Sequence, residues 1–578
     1  MKYRVFIGDR SYSTWSFVNT QTEVTEELPE IQPLYKKMFS RDIIENGEIV
    51  YSHVKTGMLI PGILILDGNK TYGRTVNKKR LYYKCIPDDC SLPVFIVPYE
   101  IKIGFSKSIQ NKYVVFKFDQ WSEQHPCGQL VETIGDVSDL NALYEYQLYC
   151  KDLHISLTEF TSKTREQLHK KTIDEYIEQI ENNPEFAIEN RKESHSVFTI
   201  DPKGSTDFDD GFSIVPWTNN GRTNNGHIVS IYIANVYFWL ETLGLWSSFS
   251  KRVATVYLPD RRCPMLPTIL SDTLCSLQEK TTRFAFVMDV YIDSSGDIVK
   301  TEYTNASIRI YRNYEYEDRQ LIHKDENYRK LLDITRKLDK NTRNSHDLVA
   351  YWMITMNRYT GIHLANNKTG IFRSVNYISS DFDENIDTIS DQDAVRVIRQ
   401  WNNTTGQYVF YNDHRMAEHE IMELTSYIHI TSPIRRLVDL LNVMLFMHGC
   451  TVKGCTMHGY RPQISNSANI FLQKWMGELD YINQSMRSIR KIQMECSLLE
   501  KVFKEPLIME REHAGIVFDK MQRNDGTFVY MVYLFDQKLL SRIYTEKNME
   551  NYTKANFRIY LFESEDKIKK KIRLKIYE

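Results

Sequence analysis

Between Thr199 and Phe212 the chain reads TIDPKGSTDFDDGF, which sets Asp201, Asp207, Asp209 and Asp210 within ten residues. Carboxylates packed that closely raise one another's pKa, so the stretch is tolerable at neutral pH mainly with a cation of high charge among them. Pro202 and Gly204 interrupt regular structure, and Gly211 to Val215 reads as strand. The segment is therefore expected to fold as strand, tight turn, strand, with its four acidic side chains turned toward one point. An all-oxygen ligand set selects a hard ion, Mg²⁺ or alternatively Mn²⁺, over Zn²⁺. Two rivals compete: an acidic surface turn, and a calcium loop, which requires a closing Glu that Phe212 to Trp217 does not supply.

The 578 residues exceed what one core organises, and three or four domains are expected. With 42% hydrophobic and 26% charged residues the composition is that of an ordinary soluble protein. A net charge of −2 excludes a uniformly basic nucleic-acid coat, so any polyanion site must gather its Lys and Arg in a groove. Nine cysteines, an odd number without paired C-x-x-C spacing, read as reduced thiols. The N-terminal MKYRVFIGDRSYS is too short in apolar run for a signal peptide, and no segment reaches membrane-spanning length. A cytoplasmic location is expected, with the nucleus left open and with neither secretion nor membrane insertion.

Residues 1 to about 50 show no clear periodicity. From Ile49 to Leu157, runs such as MLIPGILIL, LPVFIVPYEIKI and YVVFKF alternate with Gly, Pro, Asn and Asp turns, the spacing of small all-β units. Aromatic and basic residues interleave in TYGRTVNKKRLYYK, which suits an OB barrel and equally a structural β-domain with a solvated basic hairpin. Ser162 to Asn190 reads as a charged helical connector, 340 to 375 as a helix ending near Gly370, and Asn466 to Lys504 as long amphipathic helix. The closing IKKKIRLKI puts Ile568, Ile572, Leu574 and Ile576 on one face of a strand and Lys569, Lys571, Arg573 and Lys575 on the other. That basic face suits RNA, or alternatively protects an edge from aggregation.

The pattern T-I-D-P-x-x-(small)-x-D-x-D-D-(small) at Thr199 resembles the signature heading the RNB domain of the ribonuclease II family. VYLPDRRCPMLP with LSDTLCSL, from Val256, and YIHITSPIRRLVDL, from Tyr427, are similar to two further family motifs. Asp119, Trp121, Pro126, Gly128, Ile134, Gly135 and Asp136 resemble the end of its second cold-shock-type domain. The resemblance implies a multidomain α+β fold: N-terminal OB-like, cold-shock-type β-barrels, a central mixed α/β RNB catalytic domain and a C-terminal S-one-like OB barrel. The expected divisions are 1–105 with a first cold-shock-like segment, 106–192 with a second and the connector, 193–505 for the RNB domain and 506–578 for the last barrel.

It further implies a 3′-to-5′ exoribonuclease releasing nucleoside 5′-monophosphates from single-stranded RNA. Two Mg²⁺ ions about 3.5–4 Å apart would serve the displacement. Asp201, Asp207, Asp209 and Asp210 are the implied metal ligands, the loss of Asp209 being the worst, and Arg435 the implied stabiliser of transition-state charge. Tyr257 would stack on a terminal base, with Arg262, Ser432 and Arg436 as further RNA contacts; local carboxylates are the open alternative for Arg262. Ser432 and Pro433 read as N-cap and first residue of a helix, an anion site by construction. The chain departs from the family at Tyr232, where relatives have His, at Asn235, where they have Asp, and at Ala350 and Tyr351, where a carboxylate is expected. These departures motivate a rival reading, a catalytically impaired RNA-binding protein or a subunit of an RNA-decay assembly. Single-stranded RNA is the expected partner, with no membrane and with a monomer as the simplest state.

Overall fold

The computed structural model describes residues 1–75, 79–101, 109–219, 222–374, 389–404, 406–411, 427–449, 464–523, 525–564 and 569–577. Its N-terminal piece is a five-stranded sheet in the order Thr25–Glu26, Trp15–Asn19, Lys2–Ile7, Ile43–Glu45, Glu48–Tyr51. Strands of two to six residues carry too few alternations to show a period, which is why this segment was silent in sequence. A closed barrel follows, ordered Cys127–Asp136, Phe95–Tyr99, Leu81–Pro87, Ile60–Leu64, Lys112–Gln120. Closure removes the exposed sheet edges that short strands otherwise leave.

Sheet and barrel share one core, in which Val5, Phe17 and Phe39 pack with Phe95, Phe116 and Trp121. Phe39 stacks on Phe95 with ring centroids 5.9 Å apart. The division expected at residue 105 is corrected by this topology: it falls inside the barrel, between two strands that belong to the same closed ring.

The connector forms two helices, Thr158–Leu168 and Ile173–Glu181. The second opens with a capping box in which the Thr172 side chain accepts from the Glu175 N–H and Glu175 reaches back to the Thr172 N–H. Phe160, Tyr176 and Ile180 anchor both helices in the main core.

That core lines a six-stranded mixed sheet ordered Ile188–Asn190, Ile298–Glu315, Val197–Asp201, Asp210–Asn219, Arg222–Ala234, Thr282–Ile292. The long strand Ile298–Glu315 also pairs with Thr282–Ile292, so the sheet curls back on itself. The helix expected over 340 to 375 runs from Ser345 to Asn366, begun by Asn344, whose side chain accepts from the Asp347 N–H. The single helix read over 466 to 504 is two, Asn466–Gly477 and Leu479–Lys504, broken where Gly477 ends the first.

The C-terminal piece is a five-stranded antiparallel sheet ordered Leu539–Thr545, Phe528–Leu534, His513–Gln522, Lys554–Ser564, Lys569–Tyr577. In its last strand Lys571, Arg573 and Lys575 are exposed while Leu574 is buried, the alternation read from the sequence; Ile568 lies outside the described residues. Among the described residues no helix is long and apolar enough to cross a membrane.

Candidate active site

Val197–Asp201 and Asp210–Asn219 are antiparallel neighbours, with Phe198 opposite Phe212. Asp201 therefore ends one strand where Asp210 begins the next. The turn between them includes Gly204 at φ +78°, a conformation that disfavours a side chain. Asp209 is 2% exposed and Asp210 9%. Asp201 Oδ2 and Asp210 Oδ2 are buried without a hydrogen-bond partner. Burial, and then the neighbouring Asp210, push Asp201 well above the ordinary carboxylate range. Burial likewise lifts Asp210 to about 6 and Asp209 to about 8, against the pull of Arg435 on both.

Asp209 is met from the far end of the domain. Ile434 N–H donates to its Oδ1 at 3.0 Å and Arg435 Nε to its Oδ2 at 3.1 Å. The Arg435 Nη2 donates to Ser432 Oγ at 3.0 Å, so the guanidinium is held on two sides. Ser432 and Pro433 do not begin a helix, which corrects the N-cap expectation; the helix is Leu437–Gly449. Tertiary pairing overrides the local signal. Thr255 N–H donates to Arg435 O and Leu437 N–H to Val253 O, each at 2.9 Å, while Ala254 and Arg436 form a β-bridge. The segment is thereby drawn along the 253–255 backbone before helix can start.

Buried polar side chains fix this turn from behind. Asn357 accepts from Ile430 N–H and donates to Tyr427 Oη, both at 3.0 Å. Asn442 donates to His429 O at 2.9 Å and accepts from Ile371 N–H at the same distance. Asp439 accepts from Ser432 N–H at 2.7 Å. Asn442 and Asp439 were not singled out in the sequence, because a polar residue inside an apolar helix gives no sign of which backbone it will meet. Tyr316 was also passed over; its N–H donates to Asp201 O at 3.2 Å.

Tyr257 lies on the short ribbon Val256–Tyr257 with Arg262–Cys263, 40% exposed, its hydroxyl donating to Asp207 Oδ2 at 3.3 Å. Arg262 meets Asp207 at 2.6 Å and Asp272 at 2.5 Å, the local carboxylates left open as its alternative partners. Arg436 lies on Asp439 at 3.0 Å. The four aspartates thus divide three ways: Asp201 with Asp210, Asp209 with Arg435, and Asp207 with Arg262. Among the described residues no three His, Cys, Asp or Glu stand close enough to form a metal-holding group. The Asp201–Asp210 pair nevertheless fits a hard divalent cation, since two buried, unpartnered carboxylate oxygens with raised proton affinity are what Mg²⁺ takes while keeping its waters.

The departures at Tyr232 and Asn235 face the core. Tyr232 is fully buried with its hydroxyl 2.9 Å from Ser213 Oγ, and Asn235 donates to Asn305 Oδ1 at 3.3 Å.

Because Asp209 and Asp210 hold protons in the folded chain that the unfolded chain releases near 3.8, stability without a divalent cation is expected to fall as pH rises from about 4 to 8. Thermal melts in EDTA should show this decline, and Mg²⁺ should reverse it at the alkaline end, where the carboxylates are free to bind. A flat profile in EDTA would show that the pair is solvated.

The RNB domain family matches residues 190–340 and 321–449, and the Dis3-like cold-shock domain 2 (CSD2) matches 82–146. The chain is thus an RNB-domain protein carrying a cold-shock-type barrel ahead of that domain. Its similarity to RNB-domain proteins runs through these two matched regions. The exosome complex exonuclease dis3 of Schizosaccharomyces pombe is 27% identical over 214 residues, 36% of this chain and 21% of that protein. Ribonuclease R of Ureaplasma parvum is 27% identical over 238 residues, 41% of this chain and 30% of its own length. These relatives are therefore matched over less than a third of their length. Among solved structures, Mycoplasma genitalium RNase R in complex with ribose methylated single-stranded RNA superposes with a TM-score of 0.66 at 14% identity, covering 100% of both chains. Yeast Ssd1, a pseudonuclease, gives 0.53 at 16% identity, covering 89% of this chain and 68% of that one. Both likenesses concern the fold.

Proposed function

We propose that this protein is a metal-dependent exoribonuclease that hydrolyses single-stranded RNA from the 3′ end to nucleoside 5′-monophosphates. One observation carries the reading: an Asp209 clasped by Arg435 and the Ile434 N–H beside a buried Asp201–Asp210 pair with unpartnered oxygens. Asp201 and Asp210 would hold Mg²⁺ or Mn²⁺, which would supply Lewis acidity to the scissile phosphate, with Asp207 and Asp209 able to join only by leaving Arg262 and Arg435. The chain's own groups do the rest. Asp209 orients the Arg435 guanidinium, which meets the charge that develops on the phosphoryl oxygens and needs no reorganisation to do so. Tyr257 offers an exposed ring to a base, a contact indifferent to base identity.

The deciding experiment resolves by length the products of 5′-labelled single-stranded RNA incubated with the full chain in Mg²⁺ and in EDTA. A ladder or short limit product in Mg²⁺ alone supports the reading. Intact RNA in both, with a gel shift, supports the alternative of an impaired RNA-binding protein. That alternative is favoured by Ala350 at the carboxylate position and by the division of the aspartates among separate partners.

Tyr257→Ala is expected to weaken single-stranded RNA binding by about 1–3 kcal/mol, while Tyr257→Phe keeps the stack. Binding in EDTA by fluorescence anisotropy measures both. Equal losses in the two variants would assign the contribution to the hydroxyl on Asp207 instead.

A further inference from the structure

Next to the Asp209–Arg435 contact the chain buries positive charge that it does not neutralise. Arg373, on the strand Ile371–Ser374, is 6% exposed, and neither of its terminal nitrogens has a hydrogen-bond partner. Its backbone is fixed: its N–H donates to Tyr427 O at 3.0 Å, and it stands opposite Tyr408 on the neighbouring strand Gln407–Phe410. Burial lowers its pKa to about 10, and the fields of Arg490 and Arg436 add to that effect. His429 lies among the same side chains, with Nδ1 2.7 Å from Tyr408 Oη; burial and the surrounding arginines hold it neutral.

Arg373 lies in the fields of Arg436 and Arg490, and of these three guanidinium groups Arg436 is the one that has an ion pair among the described residues. Asp439 is fully buried and pairs with Arg436 at 3.0 Å. Asp519 lies in the field of Arg490 but accepts from Trp401 Nε1 at 2.9 Å. Buried charge is stable when paired and hydrogen-bonded, and the terminal nitrogens of Arg373 have no hydrogen-bond partner. Planar guanidinium forks with fewer carboxylates than charges leave donors over for a phosphate group.

We propose that Arg373, Arg436 and Arg490 form a phosphate-binding subsite beside the candidate active site. Two sources share that chemistry, a phosphodiester of the bound strand and the 5′-phosphate of a released mononucleotide. Both rest on the ribonuclease reading above, whereas binding of inorganic phosphate does not. The opposing account is that Arg373 is a packing residue covered by Tyr408 and Tyr427.

The test compares the full-length wild type with Arg373→Met, and with Arg490→Met at a less buried position, in chloride and in inorganic phosphate at equal ionic strength. The expected result is a rise in Tm in phosphate for the wild type that both variants lose. With single-stranded RNA in EDTA, Arg373→Met is expected to bind about 10- to 100-fold more weakly. Its slope of log K against log salt should be shallower by about 0.7, the signature of one lost phosphate contact. An unchanged salt slope with lost affinity for adenosine 5′-monophosphate identifies the product as the source. Equal phosphate stabilisation in all three proteins, or none in the wild type, overturns the subsite. If Arg373→Met does not fold, Arg490→Met decides alone. A wild type that responds to phosphate and binds no RNA overturns the ribonuclease reading and leaves the anion site standing.

Discussion

Asp209→Asn is expected to lower the rate of RNA hydrolysis by at least about 10²- to 10³-fold while leaving the fold intact, the scale seen when one preorganised polar contact to a transition state is removed. The amide keeps one oxygen for the Ile434 N–H but turns its NH2 toward the Arg435 Nε, so the hydrogen bond that fixes the guanidinium is lost. Stability should hold or rise. Asp209 is 2% exposed with its pKa pushed up to about 8, so the folded chain already bears a desolvation cost that the neutral amide relieves. Arg435 keeps a solvated outlet, its side chain being 45% exposed. A more stable and inactive variant is the mark of a residue held for chemistry. Arg435→Lys should not substitute, since an ammonium cannot reach Asp209 and Ser432 together as the planar fork does. Single-turnover rates with 5′-labelled RNA, beside urea melts, measure both quantities. Turnover within threefold of wild type would remove Asp209 from the mechanism.

Arg191→Met should cost about 3–5 kcal/mol of stability, the penalty for leaving a buried charge without its partner. Arg191 and Asp289 are 5% and 6% exposed and meet twice, Nη1 to Oδ1 at 2.8 Å and Nη2 to Oδ2 at 2.7 Å. Ser230 Oγ adds a third hydrogen bond to Asp289 at 2.6 Å. The pair joins the segment that enters the central sheet to a strand across it, since the Arg191 N–H also donates to Ser307 O at 2.9 Å. The double variant Arg191→Met with Asp289→Leu should recover most of the loss, because the dehydrated charge goes with its partner. Urea unfolding of the two variants separates these outcomes. A single variant within 1 kcal/mol of wild type would show that water reaches Asp289.

The aspartate turn was legible because its signals are local: Pro202 and Gly204 break the chain, and the spacing of the four carboxylates lies in ten residues. The division of those carboxylates was not. Whether Asp207 faces a metal or Arg262 depends on a ribbon some fifty residues on, and no local pattern carries that choice. Ser432 and Pro433 make a sound helix start by propensity, and the backbone of Val253 to Thr255 overruled it. Tyr232 and Asn235 drew suspicion from sequence, and both are buried in the fold. Ser432, Arg436 and Asp439 form one buried polar arrangement whose logic appears only once the helix Leu437–Gly449 is placed. The N-terminal sheet offered nothing to periodicity, and its membership of the barrel's core is a tertiary fact.

The clasp between Asp209 and Arg435 spans 226 positions of chain. A ribosome adding about 5–20 residues per second must work for roughly ten seconds or more between the two. Throughout that interval the aspartates emerge and their strands pair, but the arginine that completes the site has not been made. A nascent chain therefore carries no assembled centre until translation has passed Arg435.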